Sequence, residues 1–348
     1  MRIAVDVMGG DHGCGVVIEG VKRALQVDKK ITALYLVGNQ VEIQKAITFT
    51  RLSDDRVNVV HASEVLTMED KPVAGLRQKR DCSVVRAVDL VKDGKAEALI
   101  SPGNTGAVVA AATIKLRPLP GVDRPGIAAV IPAPENDFVL LDAGASVECR
   151  PMHLVHYAVM GSIYSREILG HPRPRVGLLN IGTEDAKGNE LTQETFRLCR
   201  NVDVNFIGNV EGHDLFTNHV DVVVCDGFVG NIVLKTCESL AAEIFKWIKR
   251  ELKLNPKRQL GALLAKSAFR SIKRRLDPDT YGGAPLLGVN GNVMITHGSA
   301  RERAIMNAIH LTTEAIQHQI NQIMCREIGR TNEQLSVTKN APGAPAFA

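Results

Sequence analysis

The sequence predicts an α/β fold, a mostly parallel mixed sheet with helices on both faces and a protruding helical segment. Apolar runs rich in Val, Ile and Leu alternate with stretches at helical spacing, a pattern typical of strand–helix crossovers. The runs 127–131 and 138–142 have no helical stretch between them, which indicates one hairpin in the sheet. A basic stretch near residue 260 has an apolar residue at every fourth position and predicts the protrusion.

The elements follow from these patterns in chain order. The strands are expected at 2–7, 32–37, 57–60, 97–101, 127–131, 138–142, 175–181, 204–208, 221–225 and 293–296. The helices are expected at 15–27, 40–47, 72–93, 105–116, 152–169, 189–200 and 229–253. A last helix is expected to begin with a capping box of Ser299 and Glu302.

The chain has no internal repeat and no long linker, so residues 1–330 are expected to form one large α/β catalytic domain. Residues 236–280 are expected to form a basic amphipathic helical protrusion from that domain. After Gly329 the helical period of the apolar residues stops, and residues 331–348 are therefore expected to form a disordered tail.

Composition excludes several classes of protein. Of the 348 residues, 45% are apolar and 23% are charged, as in ordinary soluble domains. Aromatic residues make up only 4%, which argues against a surface that stacks nucleic-acid bases. The seven cysteines are scattered without a Cys-x-x-Cys pair, which favours reduced thiols in a cytoplasm. The first residues read directly as a strand and no apolar run reaches ~20 residues, so neither a leader nor a membrane span is expected.

Clusters of Gly, Asn and Asp follow several of the predicted strands. Ligands of parallel sheets lie outside the carboxyl ends of the strands, and glycine lets the backbone approach them closely. We therefore expect an anion site built from backbone amides and small polar side chains. Its substrate-binding residues are predicted to be Asp6, Gly9, Gly10, Asp11, Gly103, Asn104, Thr105, Gly106, Asp142, Gly182, Gly188, Asp226, Gly227, Gly230 and Asn231.

Two of these loops have a functional and a structural interpretation. The glycines of the first loop suit an anion nest beside His12, a proton-relay candidate, but they equally suit a tight turn in which Asp11 caps the next helix. The loop 103–106 opens a helix and suits phosphate, while Asn104 or Thr105 also suits an ordinary helix cap.

The loop 180–190 carries three of the four predicted catalytic residues, and His12 is the fourth. Lys187 lies among small residues and is able to neutralise a phosphate or an oxyanion, although most lysines are simply solvated. Asn180 and Asn189 are candidate oxyanion donors. No Walker A sequence, His-Glu-x-x-His pair, Gly-x-Ser-x-Gly elbow or complete dinucleotide fingerprint occurs, so no metal and no nucleotide cofactor are expected.

With these loops in this order along the chain, the sequence resembles the bacterial phosphate acyltransferases, the PlsX-type acyl-(acyl-carrier-protein):phosphate acyltransferases. The resemblance runs from about residue 1 to 328, with departures at Gly13-Cys14, Pro102 and Ser146. Its motifs include Met8-Gly9-Gly10-Asp11-His12, Gly103-Asn104-Thr105-Gly106-Ala107, Asp226-Gly227-Phe228-Val229-Gly230-Asn231 and Tyr281-Gly282-Gly283-Ala284-Pro285-Leu286-Leu287-Gly288.

The resemblance implies a homodimer with a fold similar to that of isopropylmalate dehydrogenase. It implies transfer of a fatty acyl group from acyl carrier protein to inorganic phosphate, giving acyl phosphate for phospholipid synthesis without a cofactor. Because phosphate itself attacks the thioester, no catalytic Ser or Cys is required. A membrane glycerol-3-phosphate acyltransferase is the implied recipient of the product.

The basic segment has three possible partners. Residues 246–276 hold eleven Lys and Arg against one acid, a local net charge of +10 in a chain of net charge +4. An amphipathic basic helix suits the anionic inner face of the cell membrane, an acidic carrier protein or a dimer partner. The predicted contact residues are Lys266, Phe269, Arg270, Lys273 and Arg274.

Two other functions remain open on the sequence alone. One is a metal- and NAD-dependent decarboxylating dehydrogenase, and the other is a non-catalytic scaffold that binds carrier protein and membrane. Phosphate-dependent release of the carrier thiol distinguishes the acyltransferase from both.

Overall fold

A computed structural model describes residues 1–217 and 219–339 and divides the strands between two sheets. The larger sheet has the spatial order β3 (Val57–His61), β2 (Ala33–Gly38), β1 (Arg2–Asp6), β4 (Ala98–Ser101), β12 (Asn292–Ile295), β11 (Ala284–Leu287), β5 (Gly126–Ile127). The smaller sheet has the order β6 (Ala129–Ile131), β7 (Phe138–Leu141), β10 (Val222–Val224), β8 (Val176–Leu179), β9 (Phe206–Val210).

The helices cover the faces of these sheets. They are α1 (Cys14–Val27), α2 (Gln40–Thr50), α3 (Pro72–Gln78), α4 (Ser83–Lys92), α5 (Thr105–Lys115), α6 (Pro151–Glu167), α7 (Glu190–Cys199), α8 (Gly227–Leu252), α9 (Pro256–Leu264), α10 (Lys266–Arg275), α11 (Glu302–Gln317) and α12 (Ile320–Lys339). The predicted fold class, a mostly parallel mixed α/β fold, is confirmed.

The prediction of one sheet is corrected, because the structure has two sheets. The chain passes from one sheet to the other at a single residue, Ala128. The predicted strand 127–131 is two short strands: β5 pairs with β11 in the larger sheet, while β6 forms the expected hairpin with β7 in the smaller one. Between them Ala128 is fully buried and its N–H donates to the Pro285 carbonyl at 3.0 Å. The chain therefore passes from one sheet to the other without a loop.

The last helix also differs from the prediction. α11 begins at Glu302 with Arg301 as its N-cap, and the Ser299 hydroxyl contacts His297 instead of closing a capping box. The chain turns at Gln319, where φ is 53°, and continues as α12.

The predicted disordered tail is wrong for residues 331–339, which belong to α12. Thr331 and Leu335 are buried, and Leu335 packs in the same core cluster as α6 residues such as Tyr157. This burial keeps the chain helical although its apolar period is weak. Residues 340–348, the rest of the predicted tail, lie outside the described residues.

The protrusion consists of the outer part of α8 followed by α9 and α10. No residue of α9 or α10 is buried. The apolar spacing predicted one helix through residues 260–276, but α9 ends and α10 begins at Ala265. In the described part of the chain, no helix has the length and apolar character needed to cross a bilayer.

Candidate active site

Three loops meet at the carboxyl edge of the larger sheet, because β1, β4 and β12 are parallel neighbours. The Asp11 N–H donates to the Gly298 carbonyl at 2.8 Å. A Cβ on Gly9 would lie 2.5 Å from the Cα of Gly103, so glycine is required for this approach. The loops after β1 and β4, which the sequence singles out separately, therefore form one packed unit.

Asp6, the last residue of β1, stabilises these packed loops through hydrogen bonds. Its side chain is 2% exposed and accepts hydrogen bonds from the Ser101 hydroxyl at 2.7 Å and from the Met8 N–H at 3.1 Å. Ser101 Oγ in turn accepts the Gly103 N–H at 3.1 Å. Burial raises the pKa of Asp6, and hydrogen bonds from Ser83 and Ser101 oppose that rise. Asp6 thus orders the two loops.

Asp142 has the same function at the edge of the smaller sheet. It is fully buried, and its two oxygens accept hydrogen bonds of 2.7–3.1 Å from the backbone N–H groups of Ile127, Gly144, Ala145 and Ser146. Burial raises the pKa of Asp142, and these four donors oppose the rise. Ser146, one of the departures from the family pattern, contributes its backbone here, so these contacts do not depend on its side chain.

The amides at the start of α8 are already occupied. Gly227 N–H donates to the Ser146 carbonyl at 2.8 Å, and Gly230 N–H donates to the Asp226 carbonyl at 2.9 Å. The Asp226 carboxylate accepts the two intervening N–H groups, each at 2.9 Å. A Cβ on Gly230 would lie only 1.9 Å from the Asp142 carbonyl oxygen. The prediction that the Gly227 and Gly230 amides bind phosphate is therefore corrected: they hold α8 against the Asp142 loop.

A cleft of about 190 Å³ lies between the two sheets. Thr105 lines it from the start of α5 and Asn231 from the first turns of α8, so the structure brings these two predicted residues together. Ala143, which follows Asp142, also lines this cleft. The two sets of strand ends therefore face each other across one cavity.

Asn104 caps α5 rather than facing the cleft. Its Oδ1 accepts the Ala107 N–H at 3.1 Å, and its Nδ2 donates to the carbonyls of Met68 and Asp70 at 3.2 and 3.3 Å. The structural interpretation of Asn104 is thus the observed one. The N–H groups of Thr105 and Gly106 have no partner within the helix, and the positive end of its dipole lies at the cleft.

Lys235, Thr296 and His297 also line the cleft, and none of them is among the site residues predicted from the sequence. Thr296 is 2% exposed, yet its Oγ1 has no hydrogen-bond partner among the described residues. His297 Nδ1 accepts the Ser299 N–H at 3.2 Å, which leaves the proton of the neutral ring on Nε2. The sequence signal for Thr296 and His297 is their position at the carboxyl end of the predicted strand 293–296, where ligands of parallel sheets bind.

The loop 180–190 is not among the residues that line this cleft. Lys187 is half exposed, and its Nζ lies 4.0 Å from Glu184 Oε1. Asn180 donates to the Lys187 carbonyl at 3.1 Å, and Asn189 caps α7 by accepting the Thr192 N–H at 3.0 Å. Gly182 packs against the Lys187 side chain, and Gly188 has a φ of 94° that suits its turn. The structure does not bring these candidates together with Thr105 and Asn231.

The exposed part of the first loop also lies outside this cleft. Asp11 and His12 are both exposed, and neither lines the cavity, nor does Gly10, which packs near Pro102. In residues 1–217 and 219–339 no group of three or more His, Cys, Asp and Glu side chains is arranged to hold a metal ion.

A larger groove, about 1150 Å³, continues from the cleft between α8 and the α9–α10 pair. Glu238, Asp279 and His297 line both cavities. Of the predicted contact residues of the basic segment, Lys266, Phe269, Arg270 and Lys273 line this groove, whereas Arg274 does not.

The comparison with known sequences agrees with the resemblance. Residues 1–323 match the family described as "Fatty acid synthesis protein". The phosphate acyltransferase of Akkermansia muciniphila is 45% identical over 336 residues, covering 95% of this chain and 96% of that protein. The phosphate acyltransferase of Desulfitobacterium hafniense is 46% identical over 332 residues, covering 95% and 98%.

Solved structures show the same fold. A phosphotransacetylase from Streptococcus pyogenes superposes with a TM-score of 0.58 at 17% identity, covering 91% of this chain and 94% of that one. A 4-hydroxythreonine-4-phosphate dehydrogenase from Klebsiella pneumoniae gives 0.50 at 13% identity, covering 90% and 98%. At such identities the likeness concerns the fold alone, whereas the sequence relatives identify the family. The chain belongs to the fatty acid synthesis protein family and is an acyltransferase of the phosphate acyltransferase group.

Proposed function

We propose that this enzyme transfers a fatty acyl group from the phosphopantetheine thioester of acyl carrier protein to inorganic phosphate. A phosphate oxygen attacks the thioester carbon, the carbon–sulfur bond breaks, and the thiolate leaves and takes up a proton. The products are an acyl phosphate and the free carrier protein. The observation that supports this most is the cleft between the two sheets, which offers helix N–H groups, hydroxyls, a lysine and an imidazole to one anion.

Phosphate is proposed to bind between the start of α5 and the first turns of α8. The N–H group of Thr105, which has no partner within α5, and the helix dipole favour an anion there. Lys235 lines the same cleft and supplies a positive charge, with its Nζ 2.8 Å from Glu238 Oε2. Holding the phosphate next to the thioester lowers the barrier by roughly 7–11 kcal/mol through positioning alone, so a covalent enzyme intermediate is not needed.

His297 is proposed to stabilise the departing thiolate by a hydrogen bond. Its Nδ1 accepts the Ser299 N–H, so its Nε2–H remains to donate a hydrogen bond to the sulfur, which takes its proton from the attacking hydrogen phosphate or from water. A thiol with a pKa of about 8.5 is a good leaving group, so the donor is expected to accelerate the reaction rather than to be indispensable. Lys187, Asn180, Asn189 and His12 remain separate predictions, each testable by substitution.

The assay is release of carrier thiol from acyl-acyl carrier protein in the presence and absence of phosphate. We expect thiol and acyl phosphate in equal amounts, with the acyl phosphate trapped as a hydroxamate. His297→Gln should lower kcat by about ten-fold or more, whereas the control His310→Gln, at an exposed position of α11, should retain activity. Thiol release that needs no phosphate would refute the proposed reaction, and it would favour hydrolysis.

We also propose a homodimer that contacts the cell membrane from the cytoplasm. Leu240, Ile244 and Trp247 form an exposed apolar stripe on α8, a face typical of helix pairing. The basic residues of α9 and α10 suit anionic lipid, with roughly 1 kcal/mol per Lys or Arg near the surface. There the acyl phosphate would pass to a membrane glycerol-3-phosphate acyltransferase. Flotation with neutral and anionic liposomes tests the contact, which should occur only with the anionic lipid.

A further inference from the structure

A polar cavity of about 270 Å³ lies at the amino edge of the smaller sheet. The segments 172–174 and 203–205 line it, and they lead into β8 and β9. Residues of α6 and α12 also line it. The cavity shares no lining residue with the cleft between the sheets, which lies at the carboxyl ends of strands. It is therefore separate from the proposed phosphate site.

Two arginines that line this cavity have no anionic partner. Within the described residues, the guanidinium groups of Arg173 and Arg330 form no ion pair and no hydrogen bond. A third arginine, Arg166, is neutralised, because its Nη2 lies 2.9 Å from Glu327 Oε1. Two unpaired positive charges at one cavity favour an anion, which reduces their mutual repulsion.

The backbone holds both arginines in place. Arg173 lies between Pro172 and Pro174, whose rings fix φ on both sides of it. The Arg173 carbonyl also accepts a hydrogen bond from Asn205 Nδ2 at 3.2 Å. Arg330 belongs to α12, a helix whose apolar residues pack in the same core cluster as those of α6. Ligand binding therefore costs less conformational entropy than it would on mobile loops.

The neighbouring polar groups favour a hydroxylated phosphate ester over a bare anion. Ser162 is 8% exposed, and its hydroxyl makes no hydrogen bond within the described chain, so it is available to a phosphate oxygen. Asp203 also lines the cavity and has no ion-pair partner in residues 1–217 and 219–339. Its carboxylate accepts hydrogen bonds from hydroxyl groups but repels phosphate. A ligand with both a phosphate and hydroxyl groups satisfies the arginines and the carboxylate together.

We propose that this cavity binds the phosphate ester of a small polyol or sugar. The phosphate lies between Arg173 and Arg330 and accepts a hydrogen bond from Ser162, while the hydroxyl groups of the ligand face Asp203. The cavity, at about 270 Å³, is slightly smaller than the ~300 Å³ at which sites for drug-sized ligands begin, so the ligand is a small metabolite. This second anion site is independent of the proposed acyl transfer.

Isothermal titration calorimetry with two probes tests the site. Glucose 6-phosphate represents the sugar phosphates, and glycerol 2-phosphate represents the polyol phosphates. Each probe is titrated into the full chain in a buffer that already contains inorganic phosphate at a concentration that saturates turnover. Because this phosphate occupies the proposed catalytic site, heat from binding in the cleft does not contribute.

Arg173→Gln and Arg330→Gln each remove one positive charge from the cavity. Both positions are exposed, so the variants are expected to fold, and thermal unfolding checks that they do. Arg326→Gln is the matched control. Arg326 is exposed on α12 one turn before Arg330, and it does not line the cavity.

We expect at least one ester to bind, and we expect Arg173→Gln and Arg330→Gln each to raise its Kd by about ten-fold or more, equivalent to ~1.4 kcal/mol. Arg326→Gln should leave the Kd within about two-fold. Failure of both esters to bind at about 10 mM would overturn the proposal. So would an equal loss of affinity in Arg326→Gln, which would indicate unspecific attraction to a basic surface. Binding that neither cavity substitution weakens would place the ligand elsewhere and would also overturn it.

Discussion

Thr296→Val replaces a buried hydroxyl with a methyl group of the same shape. Thr296 is 2% exposed, and its Oγ1 makes no hydrogen bond within the described chain. Leaving such a group unpaired costs about 1–3 kcal/mol. The backbone bond from Thr296 N–H to the Ser101 carbonyl, 2.9 Å, is unaffected. We therefore expect the variant to be about 1 kcal/mol more stable in urea, with Tm raised by ~2 °C.

The same substitution should damage phosphate binding, because Oγ1 belongs to a residue that lines the cleft. A hydrogen bond to a charged group contributes about 1.5–3 kcal/mol, so KM for phosphate should rise by about ten-fold or more. Thr312→Val is the matched control. Thr312 is equally buried, but its Oγ1 donates to the Ala308 carbonyl at 2.6 Å. That variant should lose about 1 kcal/mol of stability and keep its KM.

Two results would refute this reasoning. If Thr296→Val lost more than about 1 kcal/mol of stability, the hydroxyl would have an internal partner in solution. If the variant gained stability with KM for phosphate unchanged, Oγ1 would be buried without contacting the substrate.

Three further predictions follow from named contacts. Gly230→Ala should destabilise the protein by about 2 kcal/mol in urea, since the clash with the Asp142 carbonyl exceeds the gain in helix propensity; equal or greater stability would contradict it. Burial raises the pKa of Asp221, but Arg175 outweighs this and holds the pKa below 3.8. The stabilisation that ionised Asp221 contributes is therefore present above about pH 4 and is lost as pH falls through its pKa in the folded protein. Asp221→Asn should lower the free energy of unfolding at pH 7, and it should reduce the further loss of that free energy on acidification. Lys187→Ala should slow phosphate-dependent turnover if Lys187 contacts substrate, and activity within about two-fold of wild type would exclude that role.

The strand–helix alternation, the hairpin and the glycine-rich strand ends can be predicted from the sequence because each depends on local spacing. The passage between the sheets cannot be predicted in this way. Residues 126–131 are apolar throughout, and only pairing with β11 on one side of Ala128 and β7 on the other divides them. Strand order is set by such long-range pairing. The insertion of β12 beside β4 is another case, and it brings Thr296 and His297 to the cleft.

Glycine-rich turns after strands predict where a site lies better than which atoms serve it. At the start of α8 the pattern Asp226-Gly227 suits an anion site, yet the carboxylate of Asp226 itself and the Ser146 carbonyl take up the free amides. At α5 the cap is the neutral Asn104, whose Oδ1 accepts the Ala107 N–H, and the amide of Thr105, at the cleft, remains for a ligand. The two helices differ in the charge of the capping side chain, which is an anionic carboxylate at α8 and a neutral amide at α5. A negative cap already neutralises the helix dipole, so the phosphate is better placed at α5.

α8 carries one side of the proposed phosphate site. Its first turn is fixed to the Asp142 loop through Gly227 and Gly230, while Asn231 and Lys235 line the cleft opposite Thr105. Because a helix fixed at its first turn keeps these two residues at a set position, the proposed site is ordered before phosphate binds. Such preorganisation lowers the barrier, since little rearrangement is then needed during the reaction.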